Sequence, residues 1–188
     1  MNLKNNKPVP ATPRPVKPEL HKAPSDRRYY LLILVFSFIL YGNTINNRYS
    51  IDDFYVTGSN PLVQQGIKAI PAIFSSYYIS INAEEGGQHN FGYRPIAKTT
   101  FAIERQLFGE NPHISHFINI LLYALTGILL FRILRRLLKN YHLLLPFLAV
   151  MLFMVHPLHT EVVASLKNRE EILSFLGALL ALQFFLKF

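Results

Sequence analysis

Residues 114–131 read ISHFINILLYALTGILLF, and residues 132–139 that follow read RILRRLLK. The first stretch carries no formal charge and is long enough to cross a bilayer core of roughly 30 Å at about 1.5 Å of helix rise per residue. The second supplies Arg132, Arg135, Arg136 and Lys139 with no acid among them. A run of that length closed by cations is the mark of a membrane span, and it sets the fold class as an all-α integral membrane protein. Working outward, similar apolar runs occupy about 29–45, 141–155 and 172–188, so the sequence predicts about four transmembrane helices. The third, with Pro146 near its start, reads as a re-entrant segment or as a crossing, and charge parity favours a crossing. The fourth stops inside apolar sequence, so the chain reads as the truncated form of a larger protein.

Charge placement sets the expected orientation. The formal net charge is +8, and seven of the basic residues (Lys4, Lys7, Arg14, Lys17, Lys22, Arg27, Arg28) precede the first apolar run. The long segment 46–113 is nearly balanced, with five basic and six acidic residues. Basic excess collects on the cytoplasmic side of membrane proteins. The sequence therefore predicts a cytoplasmic N-terminus, a short cytoplasmic turn at 132–139 and an external (periplasmic or luminal) loop at 46–113. This placement argues against nucleic acid as a partner. With no cysteine there is no disulfide framework and no thiolate metal site, and no Asn-x-Ser/Thr sequon marks a glycosylated loop.

Residues 1–28, with prolines at 8, 10, 13, 15, 18 and 24, are too polar to fold alone and are expected to form a disordered cytoplasmic tail. No small-residue cleavage site follows the first apolar run, which favours an uncleaved signal-anchor. Within the long loop, 67–81 is either a short helix in the membrane interface or an ordinary loop packed on the helix ends. Residues 83–90 read as a turn, and 94–108 as a helix ended by Gly109 and Pro112.

Four polar clusters fall on the expected external side. Asp52 and Asp53 follow the first span: adjacent carboxylates repel, which suits one to general-base work or the pair to a divalent cation. Tyr93 and Arg94 lie in the loop. His156, His159 and Glu161 follow the third run, although a zinc site there lacks further ligands and the zincin spacing. Arg169 precedes Glu170 and Glu171. Arg94 and Arg169 are the expected phosphate grips, since guanidinium binds phosphate bidentately; a salt bridge to Glu170, Glu171 or an Asp of the pair is the competing reading of each.

In this order the clusters resemble the TMTC-type membrane O-mannosyltransferases and their bacterial relatives fused to tetratricopeptide repeats. The resemblance runs through Ile51-Asp52-Asp53-Phe54-Tyr55-Val56, Asn60-Pro61-Leu62-Val63, Tyr93-Arg94-Pro95-Ile96, His116-Phe117-Ile118-Asn119 and His156-Pro157-Leu158-His159-Thr160-Glu161, then Asn168-Arg169-Glu170, where family members often carry Gly-Arg-Ala. It covers about residues 48–188. It implies a glycosyltransferase of the GT-C class that moves a mannose-like sugar from a polyprenyl-phosphate donor to an acceptor hydroxyl on a protein or glycan. Asp52 and Asp53 then stand at the catalytic acidic pair, with Asp53 slightly favoured as base. Tyr93, Arg94, His156, His159, Glu161 and Arg169 stand as substrate or phosphate contacts. Membrane lipid and further membrane subunits or a missing C-terminal part are the other expected partners. Family members have many more spans and usually a repeat domain. The alternative is a non-catalytic scaffold or subunit of an envelope complex.

Overall fold

The computed structural model describes residues 26–82 and 88–187. Most of the expected tail (1–28) and the centre of the expected turn (83–90) therefore lie outside the described residues. Helix α1, Arg27–Tyr41, continues as a 3-10 turn over Gly42–Asn46. The longest helix is α6, Pro112–Leu137, with 26 residues. Its start is set by Asn111, whose side-chain oxygen accepts from the backbone N–H groups of His113 and Ile114, and by Pro112 at a position where the missing N–H costs nothing.

Four helices run side by side. α1 is antiparallel to α6: Tyr29 and Tyr30 pack on Phe131 at one end, and Tyr41 meets Tyr123 edge-on at 5.3 Å toward the other. α7, Leu144–Met154, also runs antiparallel to α6, with Phe147 against Phe131 and the Met154 carbonyl accepting from the Tyr41 and Tyr123 hydroxyls. α9, Arg169–Phe185, runs parallel to α6, its Leu176 and Leu179 packing on Leu129 and Ile133. α6 thus forms the centre of the bundle.

Among the described residues, two helical stretches are long and apolar enough to cross a membrane, Arg27–Asn46 and Pro112–Leu137; a third counts if α7 and α8 (Leu158–Ala164), bent by 70°, are one broken span. The expected crossing at 141–155 is the main difference. α7 has only 11 residues. It stops because Pro157 disfavours a helical backbone at His156 and has no N–H to donate. The expected crossing at 172–188 corresponds to α9, which has 17 residues.

The long loop packs over one end of this bundle. It contains α2 (Ile51–Val56), α3 (Pro61–Gln64), a 3-10 turn at Gly66–Ala69, α4 (Ile70–Ile73), an antiparallel hairpin of β1 (Ile79–Asn82) and β2 (Gln88–Phe91), and α5 (Pro95–Phe108). The expected helix at 94–108 is present. The helix proposed for 67–81 covers only its first half. Ile79-Ser80-Ile81-Asn82 alternates apolar and polar residues at period two, a strand signal that helical spacing cannot use. Gly92, at φ +65°, lets the chain turn so that its carbonyl accepts from Tyr78 N at 2.9 Å. Tyr78 then joins Val56, Val63, Ala97, Phe101 and Leu166 in a second core that fixes the loop to the segment before α9.

Two glycines test this packing with opposite signs. A Cβ on Gly127 of α6 lies 2.8 Å from Met154 Sδ and 3.1 Å from Ile33 Cγ2, whereas one on Gly177 of α9 meets nothing within 4 Å. Gly127→Leu should destabilise by about 1–3 kcal/mol through overpacking. Gly177→Ala should be neutral or stabilise by up to about 1 kcal/mol through helix propensity. Thermal unfolding in detergent checks both, and equal effects would contradict the packing described.

Candidate active site

The acidic pair divides at its first turn. Ser50 caps α2 by accepting from Asp53 N at 3.3 Å, and Asp53 Oδ2 accepts from Ser50 N at 3.1 Å, a reciprocal capping box. The other oxygen, Asp53 Oδ1, accepts from Lys167 N at 2.8 Å and from the Ser165 hydroxyl at 3.3 Å. Asp53 is 1% exposed. Both of its oxygens are therefore committed, one to the cap of its own helix and the other to fastening α2 onto the segment before α9. Asp52, about 100° further round the helix, faces outward. Its side chain is 60% exposed and meets the Lys167 ammonium at 2.8 Å. That hydrogen bond holds Lys167 above the ordinary lysine value. The two carboxylates do not converge, and among the described residues no group of three or more His, Cys, Asp or Glu is placed to hold a metal ion.

The two candidate arginines also divide. Arg169 is 0% exposed. Its Nε donates to Asn119 Oδ1 at 2.6 Å, Nη1 to Thr100 Oγ1 at 3.0 Å and to Glu104, and Nη2 to Ser115 O at 3.0 Å and Glu104 Oε2 at 3.4 Å. Its guanidinium stacks on Phe101 at 4.0 Å. All five N–H groups are used inside the protein, which leaves none for a phosphate. Glu104 also accepts from the Ser115 hydroxyl at 2.7 Å, and Asn119 Nδ2 donates to Val163 O at 3.2 Å. The salt-bridge reading of Arg169 thus describes it, with Glu104 as partner and neither of the acids beside it.

Arg94 is different. It stands at the N-cap position of α5 without capping it through its side chain, and its Nε meets Glu170 Oε1 at 3.0 Å with 40% of the side chain exposed. Tyr78 donates to the Lys167 carbonyl at 2.8 Å and lies 3.3 Å from Glu170 Oε2. Asp52, Tyr78 and Arg94 therefore all meet the one segment Lys167–Glu170. Nearby on α5, Lys98 is buried against Ser76 Oγ and Tyr77 O, and burial lowers its pKa.

The remaining sequence candidates are spread over other recesses. Glu161 lines an open cleft with Arg48, Ser50, Asp53 and Ser165. His159 lines a separate cavity of about 270 Å³ among α6, α7, α8 and α9, together with Glu171, and shares a 3.0 Å hydrogen bond with the Tyr123 hydroxyl. His156 is exposed, and its Nδ1 accepts from Leu158 N at 3.4 Å, a cap for α8. Tyr93 is exposed and donates to Phe74 O at 2.8 Å. The structure does not gather these side chains into one pocket with Asp52.

Three site-building residues went unread in the sequence: Lys167, Glu104 and Asn119. For Glu104 a signal exists. Ala97, Phe101 and Glu104 share the buried face of α5, and a carboxylate on an apolar stripe demands a buried partner.

The sequence is similar to known proteins over about four fifths of its length. The chain is 34% identical over 146 residues to the human protein O-mannosyl-transferase TMTC1, an alignment covering 77% of this chain and 16% of the human protein. It is 28% identical over 156 residues to the protein O-mannosyl-transferase F38B6.6 of Caenorhabditis elegans, covering 82% and 22% of the two. With the Drosophila melanogaster protein O-mannosyl-transferase Tmtc1 it is 30% identical over 145 residues, covering 77% and 16%. The chain thus spans about a fifth or less of the length of these curated relatives. No protein-family model matches the sequence, and no solved structure matches it.

Arg169→Leu should lower stability by about 3–5 kcal/mol, because it strands Glu104 in the interior. The double variant with Glu104→Leu should recover most of that loss. Denaturant unfolding of the detergent-solubilised chain checks both, and an Arg169→Leu protein as stable as wild type would return Arg169 to the list of ligand contacts.

Proposed function

The chain belongs to the TMTC-type protein O-mannosyltransferase family, and from that premise we propose that it is the N-terminal membrane region of a GT-C-like glycosyltransferase. It moves mannose from a polyprenyl-phosphate donor to a protein hydroxyl at the face that carries Asp52. In this reading α1, α6, the broken α7–α8 pair and α9 are four spans, the N-terminus is cytoplasmic, and the Asp52 face is external. The antiparallel and parallel pairings around α6 support that topology.

The observation that carries the proposal is the split of the acidic pair. Asp53 is consumed by structure, while Asp52 is exposed beside a cation. A base must reach the proton it removes, so the reading that favours Asp53 gives way to Asp52. The acceptor oxygen attacks the anomeric carbon, its proton passes to the Asp52 carboxylate, and the bond from sugar to phosphate oxygen breaks with its electron pair leaving on the phosphate. Phosphate is a competent leaving group without protonation, so what the site must add is positive charge. Arg94 supplies it once its guanidinium turns from Glu170, and Lys167, on the segment that Arg94 meets, is the second cation. The Lys167 pKa is raised by its hydrogen bond to Asp52, so its ammonium stays charged at neutral pH and is lost only as pH climbs above the ordinary lysine range.

Asp52→Asn should lower mannosyl transfer by the full chain about 100-fold or more without changing its thermal stability. Asp53→Asn should instead lower stability by about 1–3 kcal/mol, since a buried hydrogen-bond cluster is disturbed. Arg94→Ala should weaken donor binding and Arg94→Lys rescue it only in part, because lysine lacks the bidentate fork. The assay is sugar transfer from a polyprenyl-phosphate mannose donor at matched expression. Wild-type turnover in Asp52→Asn would make the pair structural and favour the scaffold reading.

A further inference from the structure

At the end of the bundle opposite Asp52, Arg132, Arg135 and Arg136 of α6 and Lys139 of the turn after it face a cleft of about 490 Å³, walled by Tyr30 of α1 and Gln183 of α9. Four cations face one carboxylate there, that of Asp26, which pairs with Arg135. Among the described residues no other acid pairs with the four. Arg132 and Arg136 stand four apart on α6, where like charges repel by a few tenths of a kcal/mol. The C-terminal dipole of α6 offsets roughly half a charge, well short of the excess.

We propose that this cleft binds a phosphate group, carried on an anionic lipid headgroup or free in solution. Two guanidinium forks on one helix face suit the oxygens of a phosphate better than those of a smaller anion. Exposed Leu31, Leu32 and Val35 continue along α1 from Tyr30, and Phe184 and Phe185 flank Gln183, so an apolar seat for acyl chains adjoins the charged cleft. That continuity favours the lipid source. The site uses no residue of the transfer chemistry proposed above.

The test is native mass spectrometry of the full chain released from nanodiscs of phosphatidylglycerol or phosphatidylcholine. Wild type should retain phosphatidylglycerol in preference. Arg132→Gln with Arg136→Gln should lower that retention about 30-fold. The Lys pair at the same positions should retain an intermediate amount. Lys68→Gln with Arg105→Gln, cations on the other side of the molecule, should retain as wild type does. Added inorganic phosphate distinguishes the sources: lipid retention that resists it identifies a headgroup site, and displacement with thermal stabilisation by phosphate identifies a free-phosphate site. Equal retention of the two lipids with no stabilisation by phosphate, or an equal loss in the Lys68/Arg105 control, overturns the proposal.

Discussion

The buried guanidinium of Arg169 is the constraint on which the rest of the arrangement depends. Placing an unpaired cation where Arg169 sits is prohibitively costly, so the fold has to deliver acceptors in the right plane. It delivers them from two different helices, Thr100 and Glu104 on α5 and Ser115 and Asn119 on α6. Asn119 passes the constraint to α8 through the Val163 carbonyl. Because Arg169 is the first residue of α9, fixing its guanidinium also fixes the two residues before it. That places Lys167 N at Asp53 and the Lys167 ammonium at Asp52. The position of the proposed base is thus a consequence of a salt bridge that takes no part in the chemistry.

A common division of labour runs through both charged pairs. Of two adjacent aspartates, one is satisfied by backbone and hydroxyl donors while the other meets solvent. Of the two arginines, one is enclosed and the other reaches from solvent to the largely buried carboxylate of Glu170. Helical geometry enforces the first split, since neighbours about 100° apart cannot both face the core. The second split follows from surroundings. Arg94 precedes α5 at the edge of the loop, while Arg169 opens a helix whose next turns are buried against α6. The same residue type, in motifs of similar appearance, therefore does opposite jobs.

Much of this was legible in the sequence because it depends on local pattern. The apolar run that ends before Arg132 announces α6 and the helical spacing of 94–108 announces α5, although Pro112, read as closing α5, in fact opens α6. What sequence reasoning lost depends on distance or on competition. Glu104 and Arg169 are separated by 65 residues, and the acids adjacent to Arg169 offered a nearer, wrong partner. The hairpin at 79–91 was hidden because Ile and Tyr suit an interfacial helix as well as a strand, and the alternation is only four residues long. α7 was overextended chiefly at its start, where 141–143 are apolar enough to read as span but lie outside the helix, since hydropathy does not register where a helix begins. Asp53 was favoured as base because a sequence shows that two carboxylates are adjacent, not which of them has its oxygens already engaged.

Helix rise places the polar network at a particular depth. Measured back along α6 from Arg132, Asn119 is about 20 Å away and Ser115 about 25 Å, against a hydrocarbon core of roughly 30 Å. If the cations of the basic cleft mark one membrane surface, Arg169, Glu104 and Asn119 lie some way below the other. At that depth an unpaired polar group has no water to turn to, which accounts for a guanidinium with every N–H engaged. The break between α7 and α8 falls at a similar level, next to Tyr41 and Tyr123, whose hydroxyls both donate to the freed Met154 carbonyl. Irregular backbone is tolerated at membrane depth only where protein or a cavity covers it. Here the two tyrosines and the His159 cavity do so. The reactive groups of the proposal meet the side chains on either side of Arg169, Lys167 and Glu170, and not the sealed guanidinium itself, so Asp52 and Arg94 keep part of their surface in solvent and can reach a lipid-borne phosphate.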